Sequence, residues 1–180
     1  TLANDPENTF YSRSRRRRLS WEAWRDSLLM AAGTLDLDAR GGPGMNPLDP
    51  DNGARRTLYS WVDRQDVPGV LRTFDIANPD TAVHVRSTTL VPQQGLVMLN
   101  SSLVIDAAKK VADRLSEESN TQARIKQLWE IVLARSPQRD EIQMVQEWIE
   151  RSNVSSSDEF GVWPQLAQAL MSTAEFQYVD

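Results

Sequence analysis

Six of the eight glycines and five of the nine prolines fall within residues 33–90. Proline removes a backbone donor and glycine loosens the chain, so this third of the sequence can build neither a long helix nor a central strand. Gly41-Gly42-Pro43-Gly44 and Asn46-Pro47-Leu48-Asp49-Pro50-Asp51-Asn52-Gly53 are turn chemistry. Between the turns, residues 56–62 read as a short strand or a helix turn, and Leu58, Trp61 and Val62 at helical spacing favour the helix turn. Val70–Asp80 reads as ordered coil. A connection this long is normally functional or pinned by side chains.

On both sides of this segment the pattern is helical. Ser20 is a good N-cap, Glu22 suits the first turn, and Leu19 and Trp24 fit a hydrophobic staple. Trp21, Trp24, Leu28, Ala31 and Ala32 share one apolar face and Gly33 is a natural stop, which predicts a helix over 21–32. Downstream, Thr88 or Thr89 opens a short helix with Pro92 in its first turn and Leu96, Leu99 and Met98 on its buried side. Ser101 or Ser102 caps a helix striped by Val104, Ala107, Ala108, Val111, Ala112 and Leu115. Asn120 or Thr121 caps the next, where Ile125, Leu128, Trp129, Val132 and Leu133 give the cleanest periodicity in the chain. Ser136-Pro137 starts a further helix that buries Ile142, Val145, Trp148 and Ile149. After a Ser152–Asp158 loop, the last helix covers about 162–173, and Phe176 and Tyr178 dock the tail. The fold class is mainly α: a C-terminal helical bundle with an N-terminal helix and a long irregular middle segment. Residues 1–14 read as an extended linker. Residues 15–180 read as a single helical domain made of an Arg-rich helix (15–32), the irregular segment (33–90) and the bundle (91–180).

The chemistry available is narrow. The 180 residues contain no cysteine and one histidine, His84. That excludes disulfides, thiolate zinc or iron–sulfur sites, c-type haem attachment within this chain and a Cys nucleophile. A Ser-His-Asp triad or a multi-His metal site is almost excluded as well, and a lone His is more often structural. Asp49-Pro50-Asp51-Asn52-Gly53 resembles the start of a calcium loop but has Ser60 where the twelfth-position Glu belongs. No metal site and no catalytic residue is therefore expected. No apolar run approaches the about 18 residues of a membrane span. The chain opens on Thr1, which predicts a fragment or a processed form.

The net charge of −5 is unevenly placed. The first 100 residues balance, and they use arginine alone as their basic residue. Arginine suits fixed, bidentate contacts. The Arg15–Arg18 run is also the footprint of anionic-polymer binding, but the acidic remainder and the lack of an aromatic-interleaved basic face argue against nucleic acid as a partner. Most of the six tryptophans fall on buried faces; Trp61 and Trp163 are less constrained.

The densest group of short polar residues runs from Arg72 to Asn100 and includes Thr88, Thr89 and Gln94. Two roles suit it: tying down the middle segment, or lining a ligand pocket. For the pocket, the candidate ligand-binding residues are Arg72, Asp75, Arg86, Gln93 and Asn100. They include no evident acid/base pair and no activated nucleophile.

Several motifs occur in a fixed order. They are Arg17-Arg18-Leu19-Ser20, Arg25-Asp26-Ser27-Leu28-Leu29, Gly33-Thr34-Leu35-Asp36 and Gly41-Gly42-Pro43, then Arg55-Arg56-Thr57-Leu58-Tyr59 and Phe74-Asp75 with Asn78-Pro79-Asp80. Arg86-Ser87-Thr88-Thr89, Pro92-Gln93-Gln94-Gly95-Leu96, Leu99-Asn100, Ala134-Arg135-Ser136-Pro137 with Glu141, and Glu175-Phe176-Gln177-Tyr178-Val179-Asp180 follow. Over residues 13–180 this resembles the first planctomycete-specific domain, a domain of unknown function at the C-terminus of planctomycete cytochrome-c-like proteins. Gly95 departs from the pattern, where alanine is expected. The resemblance implies a large exported parent, periplasmic or at the cell surface, with a c-type haem in an upstream domain and no cofactor in this chain. The partners it implies are neighbouring domains of the same parent. It carries no catalytic residues. The function expected is a non-catalytic structural or interaction module; the alternative is a polar ligand-binding cleft in a cytochrome-linked oxidoreductase or a carbohydrate-processing protein.

Overall fold

Ser20 holds extended backbone, and its hydroxyl accepts from the Ala23 N–H at 3.3 Å. Helix α1 (Trp21–Ala32) therefore begins at Trp21. It ends at Gly33, whose φ of 71° is the left-handed conformation a helix stop requires. In the computed structural model, which describes residues 5–49, 54–115, 120–153 and 160–179, the chain is mainly helical. After α1 come a 3₁₀ turn (Thr57–Tyr59), α2 (Gly69–Thr73), α3 (Pro92–Asn100), α4 (Ser102–Asp113) and α5 (Thr121–Leu133). α6 (Arg139–Asn153), α7 (Val162–Met171) and α8 (Ala174–Gln177) complete the helices. Among the described residues the one sheet pairs β1 (Arg17–Arg18) antiparallel with β2 (Tyr178–Val179), Arg17 opposite Val179 and Arg18 opposite Tyr178. None of these helices is long and apolar enough to cross a membrane.

α4 is the centre of the core, packing against both α1 and α7. Its stripe of Leu103, Val104, Ala107, Ala108 and Val111 is buried, with Leu115 just beyond. Trp21, Trp24 and Leu28 face it from α1, and Leu166, Ala167, Leu170 and Met171 from α7. α5 adds Ile125, Leu128, Trp129 and Val132. Fully burying each large side chain is worth about 1.5–3 kcal/mol. Phe74 closes one end, its ring centroid 5.1 Å from those of Trp21 and Trp24.

Arginines fasten the middle segment to this core. Arg25 of α1 is wholly buried. Its Nε donates to the Pro47 carbonyl at 2.8 Å, and its Nη1 donates to the Arg55 carbonyl and to Thr57 Oγ1 at 3.2 and 3.0 Å. Asp26 beside it accepts from the Thr57 N–H and hydroxyl at 2.7 and 2.6 Å. Arg55 in turn donates to the Gly41 and Pro43 carbonyls. Gly44 lies so close to Trp61 that a Cβ there would meet the Trp61 Cβ at 2.8 Å. At the other end of α1, Arg114 donates to the Met30 and Ala31 carbonyls, placing positive charge at a helix C-terminus that has no basic residue of its own.

Several expectations are corrected. The Arg-rich helix over 15–32 is helical only from Trp21; Arg15–Arg18 lie outside it, with Arg17–Arg18 in a strand, because the Ser20 cap stops the helix and the tail backbone supplies pairing, Leu19 N–H donating to the Gln177 carbonyl at 2.8 Å. The 1–14 linker is wound into turns over its described part: Asp5 and Asn8 are buried and bond the chain from Thr9 to Arg13. The helix turn within 56–62 is a three-residue 3₁₀ turn, but it buries Thr57 and leaves Leu58, Trp61 and Val62 exposed, since Arg25 and Asp26 claim Thr57. Coil over 70–80 gives way to α2 at its start. α3 starts at Pro92, not at Thr88 or Thr89, and turns Gln94 and Met98 inward with Leu96 and Leu99 outward. α6 starts at Arg139, two residues beyond Pro137, with Glu141 accepting from the Gln138 N–H at 2.6 Å. Trp148 is half-buried. Residues 50–53 of the calcium-like turn and 154–158 of the Ser152–Asp158 loop lie outside the described residues.

The C-terminal helices are tied by Arg135, which reaches both oxygens of Glu141, at 2.8 and 2.7 Å, and both of Glu175. These bonds raise the Arg135 pKa and lower that of Glu141 from 4.5 to about 2. Glu175 is also lowered, first by its bonds from Arg135. Depressed carboxylates stabilise the fold above their unfolded pKa and lose that effect as pH falls through the folded value. Arg135→Ala is expected to cost about 1–2 kcal/mol at neutral pH. The difference from wild type closes as pH falls from 4.5 towards 2, as followed by urea denaturation across that range. Arg25→Met is expected to cost about 3 kcal/mol or more, because three buried acceptors lose their donor. Its signature is protease cleavage near 47–57 well below the global unfolding midpoint.

Candidate functional site

α2 ends at Phe74, and Asp75 then adopts a φ of 58° that reverses the chain. The following strap is exposed throughout Asn78–Leu90. Asp75 closes it: Oδ2 accepts from the Thr89 N–H and Oδ1 from the Thr89 hydroxyl, both at 2.8 Å. The buried Gln94 side chain is the hub behind this clasp. Its amide donates to the Thr73 and Thr89 carbonyls at 2.7 and 3.2 Å, while its Oε1 accepts from Arg18 at 2.6 Å and from the Val91 N–H at 3.3 Å. Arg18 also donates to the Thr89 carbonyl at 2.8 Å and lies 5.5 Å above the Phe74 ring. The strap is thus clamped at both ends onto the aromatic end of the core.

Beneath the strap is a cavity of about 600 Å³, within the range of small-molecule sites. Its charged walls are Arg64, Arg72, Asp75, Asp80 and Arg86. Val67, Ile76 and Val83 supply an apolar patch, and Gln65, Asn78 and Ser87 neutral hydrogen-bonding groups. Arg86 donates through Nη1 to both carboxylate oxygens of Glu22 at 2.8 and 2.9 Å, fastening the strap to the first turn of α1. Partial burial pushes the Glu22 carboxyl up. Bonds from its own backbone N–H, from Arg86 and from Ser20 outweigh that, and its pKa falls below 4.5. Arg64 and Asp80 form a loose pair at 3.7 Å, both exposed, of little energetic weight. Arg72 is exposed, and among the described residues its guanidinium has no hydrogen bond or ion pair.

Of the five sequence-predicted site residues, Arg72, Asp75 and Arg86 line this one cavity. Gln93 and Asn100 do not: Gln93 points to solvent, and Asn100 donates to the Leu96 carbonyl of its own helix at 2.9 Å. Gln94, not Gln93, is turned inward. Sequence reasoning missed Arg64 and Asp80 as cavity residues; the signal for Asp80 was its place in the Asn78-Pro79-Asp80 turn. Arg64 carries no comparable motif. His84 is exposed. Asp36 is taken up by a local turn, accepting from the Asp38 and Ala39 N–H groups. Among the described residues no group of acidic, His or Cys side chains is arranged to hold a metal ion.

Chemically, the cavity is equipped to hold and orient a ligand. Both Asp75 oxygens are engaged with Thr89, Asp80 sits against Arg64, and the described walls offer no histidine, lysine or tyrosine. Asp75→Asn is expected to keep the left-handed backbone but to set an amide N–H₂ against one Thr89 donor. Faster amide hydrogen exchange over 81–89, with a global stability loss of only about 1 kcal/mol, checks the clasp.

A family model described as PSD1, a protein of unknown function (DUF1553), matches residues 1–149. No curated protein and no solved structure matches the chain. The match covers the Arg-rich strand, the whole middle segment and the cavity walls. It stops short of α7, α8 and β2, which the sequence resemblance over 13–180 included.

Proposed function

Because the chain belongs to the PSD1 family, planctomycete-associated and of unknown function, its role has to be read from its own surface, and we propose that it is a non-catalytic helical module. In this reading it docks a neighbouring domain of the same large, exported, cytochrome-c-associated polypeptide. The observation that carries the reading is the outer face of α3. Leu96 and Leu99 are 58% and 59% exposed and Leu90 is 79% exposed. Leu90 and Leu99 border a groove of about 530 Å³ with Pro92, Gly95 and Met98, and none of the groove's described walls is charged. A Cβ at Gly95 would meet nothing, so the helix is open there as well. Contiguous exposed apolar surface free of charge has the composition of an interface core. With no cysteine in the chain, the c-type haem belongs upstream in this reading, and redox chemistry resides there. Export to the periplasm or cell surface follows from the same resemblance.

A second reading, a polar ligand-binding cleft contributed to a cytochrome-linked or carbohydrate-processing parent, is supported by the cavity shared by Arg72, Asp75 and Arg86. The two readings use different faces of the molecule and are compatible.

Docking predicts that the purified chain self-associates with rising concentration or binds a hydrophobic dye. Leu96→Asp with Leu99→Asp is expected to abolish both while changing stability by no more than about 0.5 kcal/mol, since both side chains are exposed. Sedimentation velocity and thermal melts check this. A wild-type chain that stays a dye-silent monomer at every concentration counts against docking.

A further inference from the structure

We propose that the cavity beneath the strap binds a small hydroxylated monocarboxylate, with Arg72 as the residue that takes the carboxylate. The proposal deepens the cleft reading and rests on it. It does not depend on docking at α3.

The argument starts from which charges in the cavity are already matched. Arg86 is committed through Nη1 to the Glu22 carboxylate, and Arg64 is set against Asp80. The Asp75 carboxylate has both oxygens occupied by Thr89. Arg72, one helical turn before Asp75, remains with its planar set of donors unused among the described residues. A guanidinium matches a carboxylate in bidentate geometry, two parallel N–H···O bonds to two oxygens.

The other walls narrow the class. Asp80 answers Arg64, and the Asp75 carboxylate, bonded to Thr89 and, among the described residues, to no cation, shares the cavity with Arg72, so a doubly charged anion such as phosphate would leave a net negative charge there. A single negative charge fits this balance better. Around the anchor, Gln65, Asn78 and Ser87 offer neutral donors and acceptors for hydroxyl groups, while Val67, Ile76 and Val83 offer a patch for the C–H face of a ring. About 600 Å³ accommodates one or two such rings.

The test is a titration of the full 180-residue chain, followed by amide chemical shifts in two-dimensional NMR. The probes are D-glucuronate, D-glucose and inorganic phosphate. The proposal expects saturable shifts centred on residues 64–87 with D-glucuronate, and at least tenfold weaker binding of both D-glucose and phosphate. Arg72→Ala, at an exposed and unpaired position, is expected to fold normally and to weaken D-glucuronate binding at least tenfold. Arg72→Lys keeps the charge but loses the fork and should fall between. Binding of D-glucuronate equal in wild type and Arg72→Ala overturns the role of Arg72. Arg72-dependent binding of phosphate or D-glucose at least as tight as D-glucuronate overturns the ligand class while leaving the cleft reading standing. No saturable binding of any of the three overturns both.

Discussion

The guanidinium-to-carbonyl hydrogen bond is the interaction on which this structure depends. Between α1 and α3 the described residues hold only the 3₁₀ turn and α2, which leaves many backbone carbonyls that no helix or sheet ladder satisfies. Arg25 takes the Pro47 and Arg55 carbonyls, Arg55 those of Gly41 and Pro43, and Arg18 that of Thr89. Arg13 does the same for Asp5 and Pro6, and Arg114 for the last turn of α1. Each such bond carries a charged donor, worth about 1.5–3 kcal/mol where water is excluded. Lysine would supply a point charge with no fixed fork, unable to bridge two strands of coil with defined geometry. In the first half Arg13, Arg18, Arg25 and Arg55 work in this way, while Arg56, Arg64 and Arg86 form ion pairs.

The helices were legible because one rule governs them. The stripes of α4 and α5 face a continuous apolar neighbour, and the predicted residues are buried except Ala112 and Leu133, which are half-buried. α3 was misread for a physical reason. Its leucines outvote its glutamine on any hydropathy count, yet Gln94 satisfies Arg18, Thr73, Thr89 and Val91 at once. That buried polar hub sets the rotation of the helix and throws Leu96 and Leu99 outward. Gln93 and Gln94 are adjacent, but about 100° separates neighbours on a helix, so Gln93 faces solvent while Gln94 is buried, and neither lines the cavity.

The middle segment resisted prediction differently. Its turns were plain from glycine and proline, but which guanidinium meets which carbonyl has no period in sequence. The bonds from Arg25 span 22 to 32 residues and Arg18 reaches Gln94 across 76. The cavity shows the same limit. Arg72, Asp75 and Arg86 were picked out by residue type and come together, whereas Arg64 arrives from a stretch with no signal of its own.

The short pairing of β1 with β2 has a mechanical meaning. Its outer pair is Arg17 with Val179, so the strands leave the sheet side by side. A pull applied to the two flanking segments loads these hydrogen bonds one after another, as a zipper, instead of shearing them together. Such a contact yields at low force. The next residue exposed to the pull is Arg18, whose hydrogen bonds hold Gln94 and the Thr89 carbonyl. Tension along the polypeptide would therefore reach the strap and its cavity while α1, α4 and α7 were still packed.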